Sequence, residues 1–394
     1  MVSINHDHQR DHLAPSGLPG AIFISCSRRQ LPGEIQVEET VAPILDGASS
    51  STNQLPYELA LERQTACDCD APFEERLEAY ENIIDSEIGD TQLTRARNIE
   101  RETGLRQLYL KFDGGNPTGT QKDRIAFAQA MDALRRGFDT VTGATCGNYG
   151  VALALAASYA GLRCVIFIPD GYHSRRVEEI RRLGAEIVTA TGDYETAVEV
   201  SRACAAKEEL YDANPGGANT ILQLRAYGEI AYEIYDELRD APAAVAVPVS
   251  NGTTLAGLAK GFQSLYRRGK TSRIPRFIAG SSFRKNPIVE SFLRGVDGCQ
   301  DLDPKRIRET TINEPLINWH SIDGDAALEA IRSSGGWAAY ASDRVMAGYS
   351  RMISANEGLN VLPASTAGLI ALLEGHRRQP LSKDRYVAVL TGRR

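Results

Sequence analysis

The stretch N-P-T-G-T-Q-K-D-R, residues 116–124, sets a turn, two small hydroxyls and a charged triplet directly before a helical pattern. After Lys122, the apolar residues Phe127, Ala130, Met131 and Leu134 fall at i, i+3, i+4 and i+7, one stripe of a helix. Asn116, Pro117 and Gly119 form the turn, and Lys122 stands at the helix entrance. A cation is poorly placed there, because exposed N–H groups and the macrodipole already make a helix start positive. Asp123 offsets the conflict in part. What remains of it marks Lys122 as a candidate functional residue.

Downstream, apolar β-rich runs alternate with helical periods. Residues 139–145 (DTVTGAT), 163–169 (RCVIFIP) and 185–190 (AEIVTA) read as buried strands, separated by predicted helices at about 148–160, 174–183 and 193–207. A second series runs from 243–249 (AAVAVPV) through a helix near 254–268 and a strand at 275–282 to 386–391 (YVAVLT). Such alternation implies an α/β fold, two domains each with a mainly parallel twisted sheet flanked by helices. The expected division is residues 1–55 as an N-terminal arm, 85–124 with 218–394 as the larger domain, and 125–217 as the smaller.

Two further turns carry chemistry. The glycine-rich stretch 142–150 (TGATCGNYG) follows a strand and opens an apolar helix, and the stretch 248–257 (PVSNGTTLAG) does the same. Backbone N–H groups at such turns can hold phosphate or carboxylate. Two anion cradles and a lysine suggest a ligand with two anionic ends. A dinucleotide reading would use Asp170 on a ribose, but Gly143, Gly147 and Gly150 lack the G-x-G-x-x-G spacing.

At 394 residues, 42% hydrophobic and 24% charged, the chain has the composition of a globular protein with room for two cores. A net charge of -7 offers no footprint for nucleic acid or an anionic membrane. No signal-like start and no long apolar run are visible, so a cytoplasmic protein acting on a small molecule is expected. His6, His8 and His12, like Cys67 and Cys69, lack the partners of a metal site, and no metal is expected.

Taken together, these motifs resemble the fold type II pyridoxal-phosphate enzymes, the tryptophan synthase β-subunit-like family, and within it the threonine synthases. That family's lysine motif, approximately N-P-T-G-S-F-K-D-R, differs here only at Thr120 and Gln121. The likeness spans about residues 85–394 and implies a pyridoxal 5'-phosphate lyase, commonly a homodimer, acting on an amino-acid substrate. By position, Lys122 would form the Schiff base and act as general base, and Asn148 would bond the cofactor's ring hydroxyl. Ser250, Asn251, Gly252, Thr253 and Thr254 would bind its phosphate, and Thr391 would face the pyridine nitrogen. Thr145, Cys146 and Gly147 would receive the substrate carboxylate, and Arg225 is the nearest counterpart of an arginine that holds a substrate phosphate. The implied reaction is elimination or replacement. In its strict form, O-phosphohomoserine and water give threonine and phosphate. The alternative is β-replacement or β-elimination on O-phosphoserine, serine or threonine. A non-catalytic binding relative is the alternative of another class.

The sequence departs from the family in several places. The pattern N-P-x-R-x-E-G-Q-K-T reads N-P-G-G-A-N-T-I-L-Q here, Leu362 stands where glutamate is frequent, and Arg393 and Arg394 follow T-G where the family continues with G-L-K. Arg175 and Arg176, after the candidate helix cap Ser174, are candidates for the site entrance or for an exposed helix face.

Overall fold

The computed structural model describes residues 57–145, 147–170 and 175–394. The expected arm over 1–55, Cys146 and Ser174 lie outside them. Among the described residues, ten strands form two sheets. Six of them, β1 (Leu93–Arg95), β2 (Leu108–Phe112), β7 (Ala244–Pro248), β8 (Arg276–Ser282), β9 (Trp337–Ala341) and β10 (Tyr386–Leu390), lie in the order β1-β2-β10-β7-β8-β9. All neighbours there pair parallel except β1 with β2. The other four, β3 (Thr140–Ala144), β4 (Arg163–Pro169), β5 (Glu186–Ala190) and β6 (Tyr211–Asp212), form a parallel sheet in the order β5-β4-β3-β6.

Helices cover these sheets. Along the chain they are α1 (Tyr57–Cys67), α2 (Phe73–Glu87), α3 (Arg97–Thr103), α4 (Lys122–Arg135), α5 (Asn148–Ala160), α6 (Arg175–Arg182) and α7 (Tyr194–Lys207). Then follow α8 (Thr220–Leu238), α9 (Thr253–Arg267), α10 (Pro287–Arg294), α11 (Gly324–Ser333), α12 (Asp343–Glu357) and α13 (Ala367–Arg378). Parallel strands need such crossovers and are buried on both faces, which explains the apolar runs of β7 and β10, buried at every position as β3 also is. Several helix starts follow from local chemistry. Asp193 caps α7 by accepting from Thr196 N at 3.0 Å, and Asn286 caps α10 from ahead of Pro287.

One large core cluster contains residues of both sheets, including Val141, Ile166, Val245 and Val387, together with side chains of α4, α5, α8 and α9. Helices α8 and α9 approach closely because glycine faces glycine. A Cβ on Gly261 would lie 2.6 Å from Gly228 O, and one on Gly257 would lie 2.7 Å from Leu224 O. The strands and helices expected from periodicity are present, α5 over the expected 148–160. Helices α1 and α2 were not expected. Tyr80 of α2 stacks on Phe127 of α4 at 6.0 Å and donates to Ala156 O of α5 at 3.0 Å, so this pair covers α4 and α5.

Candidate active site

In open parallel sheets, ligands bind at the carboxyl ends of the strands, where loops turn into helices. Here the turns after β2, β3, β7 and β10 converge on a cavity of about 640 Å³. Its wall includes Lys122, Thr145, Gly147, Asn148, Ser250, Asn251, Gly252, Thr253, Thr254 and Thr391. The structure therefore brings residues from all three sequence motifs to one cavity.

The loop carrying Lys122 is held from several sides. Asp123 accepts from Thr118 N at 2.8 Å and Thr118 Oγ1 at 2.7 Å, folding the turn back over the first turn of α4. Burial pushes the Asp123 carboxyl up to about 7, against these hydrogen bonds and the nearby Arg393. Arg124 makes a two-pronged contact with buried Asp113 (2.8 and 2.9 Å) and reaches Glu233 of α8, which Lys111 of β2 also contacts. Burial raises the Glu233 carboxyl, but Arg124 and Lys111 outweigh it and hold it at about 2. Residues 391–393 add a backbone clasp. Gln121 N donates to Thr391 O at 2.9 Å, Arg393 N to Gly119 O at 2.8 Å, and the Arg393 guanidinium to Gly114 O (3.3 Å) and Pro117 O (3.0 Å).

Lys122 itself is half-buried on the cavity wall. Burial lowers its ammonium pKa to about 8, opposed by the Glu314 carboxylate. Glu314 also faces the turn at α5, where a Cβ on Gly147 would come within 3.2 Å of its Oε1.

The β7–α9 turn has the form of an anion cradle. Gly252 adopts φ +90°, and a Cβ there would meet Asp323 O at 2.8 Å, so glycine is required by both conformation and space. No side chain caps α9, and its first N–H groups have no intrahelical acceptor by position. Asn251 Oδ1 accepts from Asn318 Nδ2 at 2.9 Å and Thr253 Oγ1 donates to Asp323, so these two side chains are engaged within the protein. Across the cavity, the Thr391 and Ser365 hydroxyls lie 3.0 Å apart, and Ser365 Oγ also accepts from Gly392 N at 2.8 Å. A recessed amine, an uncapped glycine turn and a neutral hydroxyl pair around one cavity fit a molecule with an aldehyde, a phosphate and a ring nitrogen.

Other expected residues lie elsewhere. Arg225 is exposed on α8 and is not on the cavity wall, where the same helix contributes Gln223 and Tyr227. Asp170 is exposed beyond β4 and accepts from Gly192 N at 3.2 Å. Arg176 pairs with Glu179 at 2.7 Å on α6. Leu362 does line the cavity. Sequence reading passed over Gln223, Glu314, Trp319 and Ser365. Ser365 was within reach, since it lies in the L-P-A-S-T-A-G stretch beside Leu362, whereas residues 304–319 carry no motif.

Comparison with known proteins agrees with this geometry. The chain is 29% identical over 309 residues to threonine synthase of Methanocaldococcus jannaschii, covering 77% of this chain and 74% of that one. It is 29% identical over 289 residues to threonine synthase of Mycobacterium tuberculosis strain H37Rv, covering 73% and 76%. Among solved structures, maize serine racemase superposes with a TM-score of 0.66 at 19% identity, covering 81% of this chain and 93% of that one. The processed form of threonine deaminase isoform 2 from Solanum lycopersicum gives 0.65 at 17%, covering 84% and 91%. The fold is that of the type II pyridoxal-phosphate enzymes. Residues 84–392 match the family described as pyridoxal-phosphate dependent enzyme, and with Lys122 recessed among two cradles the chain belongs to that family.

Proposed function

We propose that this enzyme catalyses threonine synthase-like elimination or replacement on the side chain of an amino acid, with Lys122 as the residue that holds pyridoxal phosphate and moves protons. The observation that carries the reading is Lys122 itself, an amine whose pKa burial brings to about 8 at the focus of the cavity. Pyridoxal phosphate, when bound, supplies an electron sink for the pair left by a breaking Cα–H bond.

The chain's residues do the rest. The 250–254 turn binds the cofactor phosphate, and Asn148 holds its ring hydroxyl. Thr391, steadied by Ser365 at 3.0 Å, faces the ring nitrogen with a hydroxyl instead of a carboxylate. A neutral partner leaves that nitrogen less protonated, which favours elimination over transamination. The turn at Thr145 and Gly147 would receive the substrate carboxylate, and Lys122 would act as the base toward the Cα proton. In this reading residues 125–217 form the smaller of two lobes, and the enzyme is a cytoplasmic homodimer.

The names of the curated relatives support the strict form, O-phosphohomoserine and water to threonine and phosphate. A second form, reaction at Cβ of O-phosphoserine, serine or threonine, is favoured by a specific observation. Counted from Asn214-Pro215, the arginine of the family pattern is Gly217 here, and Arg225 is exposed away from the cavity wall. The test is to incubate the holoenzyme with each substrate and follow phosphate, threonine, keto acid and ammonia, with Lys122→Ala as control. Threonine with matching phosphate supports the strict form, and keto acid with ammonia the second. Lys122→Ala is expected to lower turnover by on the order of a thousandfold or more. Undiminished turnover in that variant would remove the proposal's basis.

A further inference from the structure

Between α10 and α11 the chain runs from Gly295 to Asp323 with only two 3₁₀ turns, Pro304–Arg306 and Glu314–Leu316. Connections beyond about 12–15 residues without regular structure are uncommon in compact domains and are usually functional. This one closes on itself. Leu302 N donates to Trp319 O at 2.9 Å, and His320 Nδ1 lies 2.9 Å from Asp301 Oδ1, so residues 302–319 form a loop with joined ends. Thr310 Oγ1 ties its outer part to Asp343 of α12 at 2.7 Å, while Ile307, Glu314, Leu316 and Trp319 line the cavity.

Glu314 carries this loop across the cavity to the start of α5. A Cβ on Gly147 would meet Glu314 Oε1 at 3.2 Å, and among the described residues outside its chain neighbours no other heavy atom comes within 4 Å of that point. Gly147 is the N-cap of α5 and brings no capping side chain, while the first N–H groups of a helix have no intrahelical acceptor. A carboxylate is a group that such a turn holds well. Glu314, half-buried, presents one there from a distant part of the chain. Its negative charge also favours the ammonium form of Lys122, so it stands between the lysine and the turn. A second carboxylate brought to the same turn would meet it at close range, and like charges there repel.

We propose that Glu314 is a built-in competitor for the substrate's α-carboxylate, and that an amino acid takes the α5 turn only by displacing Glu314 together with the 302–319 loop that carries it. The inference rests on the reading above, in which the turn at Thr145 and Gly147 receives that carboxylate, and adds what guards it. A ligand amine without a carboxylate leaves Glu314 in place. The apparent affinity for an amino acid is then reduced by the fraction of molecules in which the turn is free, and removing the competitor restores it.

The test takes whichever of serine, O-phosphoserine and O-phosphohomoserine shifts the holoenzyme's visible spectrum most, together with its carboxamide, which keeps the amine and side chain and lacks the acid. Both are mixed rapidly with wild type, Glu314→Gln and Glu314→Ala, and apparent affinities are read from the first spectral change. Any effect of Glu314 on Lys122 cancels in the acid-to-amide ratio. That ratio should rise about fivefold or more in both variants. In wild type, hydrogen exchange over residues 302–319 should rise with the saturating acid and stay level with the amide, a readout that needs no variant. An unchanged ratio would overturn the proposal. So would a higher ratio with level exchange, which would mean repulsion from a fixed carboxylate without displacement. Either result leaves the elimination reading standing, whereas no spectral response to any of the three amino acids would defeat that reading and the proposal with it.

Discussion

Lys122 shows how position turns a common side chain into a reagent. A lysine in water at neutral pH is almost wholly ammonium, whereas burial here brings the pKa from 10.5 to about 8, against the pull of Glu314. If, as proposed, the free amine of Lys122 attacks the cofactor aldehyde, its depressed folded pKa means that capture of pyridoxal phosphate by the apoprotein should accelerate with rising pH and level off above about 8. Stopped-flow absorbance between about pH 6.5 and 9.5 measures it, and a rate still climbing near about pH 10 would mean an unperturbed lysine. Glu314→Gln should move the midpoint down, since the carboxylate stabilises the ammonium form. The opening motif announced this lysine through its conflict with the helix start. It could not announce Glu314, which comes from a 3₁₀ turn at Glu314–Leu316 with no pattern of its own.

At the scale of elements, the loop before α4 is fixed less by its own sequence than by what pairs with it. Residues 391–394 run between that loop and residues 360–362, with Thr120 bridged to Gly392, Val361 to Arg393, and Arg394 N donating to Asn360 O at 3.0 Å. Because the Arg393 guanidinium bonds two carbonyls of the lysine loop, Arg393→Ala should loosen Lys122 without touching substrate. We expect kcat to fall about tenfold with KM within about threefold of wild type, and Arg393→Lys to recover part of the loss. Steady-state kinetics with the best substrate reads this out, and an unchanged kcat in Arg393→Ala would show that the backbone pairing alone suffices. Individual elements were largely legible. The helix over 148–160 and the strand over 163–169 follow from apolar runs bounded by turn residues. Helices α1 and α2 were not, because their burial comes from α4 and α5, far along the chain.

At the scale of the whole molecule, the site is where four turns from two sheets meet, so cofactor binding should tie them together. Pyridoxal phosphate binds only that assembled arrangement, and saturation at about a hundred times its Kd should stabilise the fold by about 2.7 kcal/mol. Thermal melts of apoprotein and holoenzyme measure the gain. Gly252→Val, which puts a branched side chain at φ +90° against Asp323 O, should abolish most of it, and a retained increment would place the phosphate elsewhere. The sequence by itself determined the α/β class, the order of most strands and helices, and the lysine and glycine motifs, since each is written in contiguous residues whose chemistry is local. Tertiary structure alone decided that β10 inserts between β2 and β7, delivering Thr391 beside Lys122, and that Gln223 lines the cavity while Arg225, two residues on, is exposed. Strand order and helix rotation are set by long-range burial, and no contiguous stretch of sequence records them.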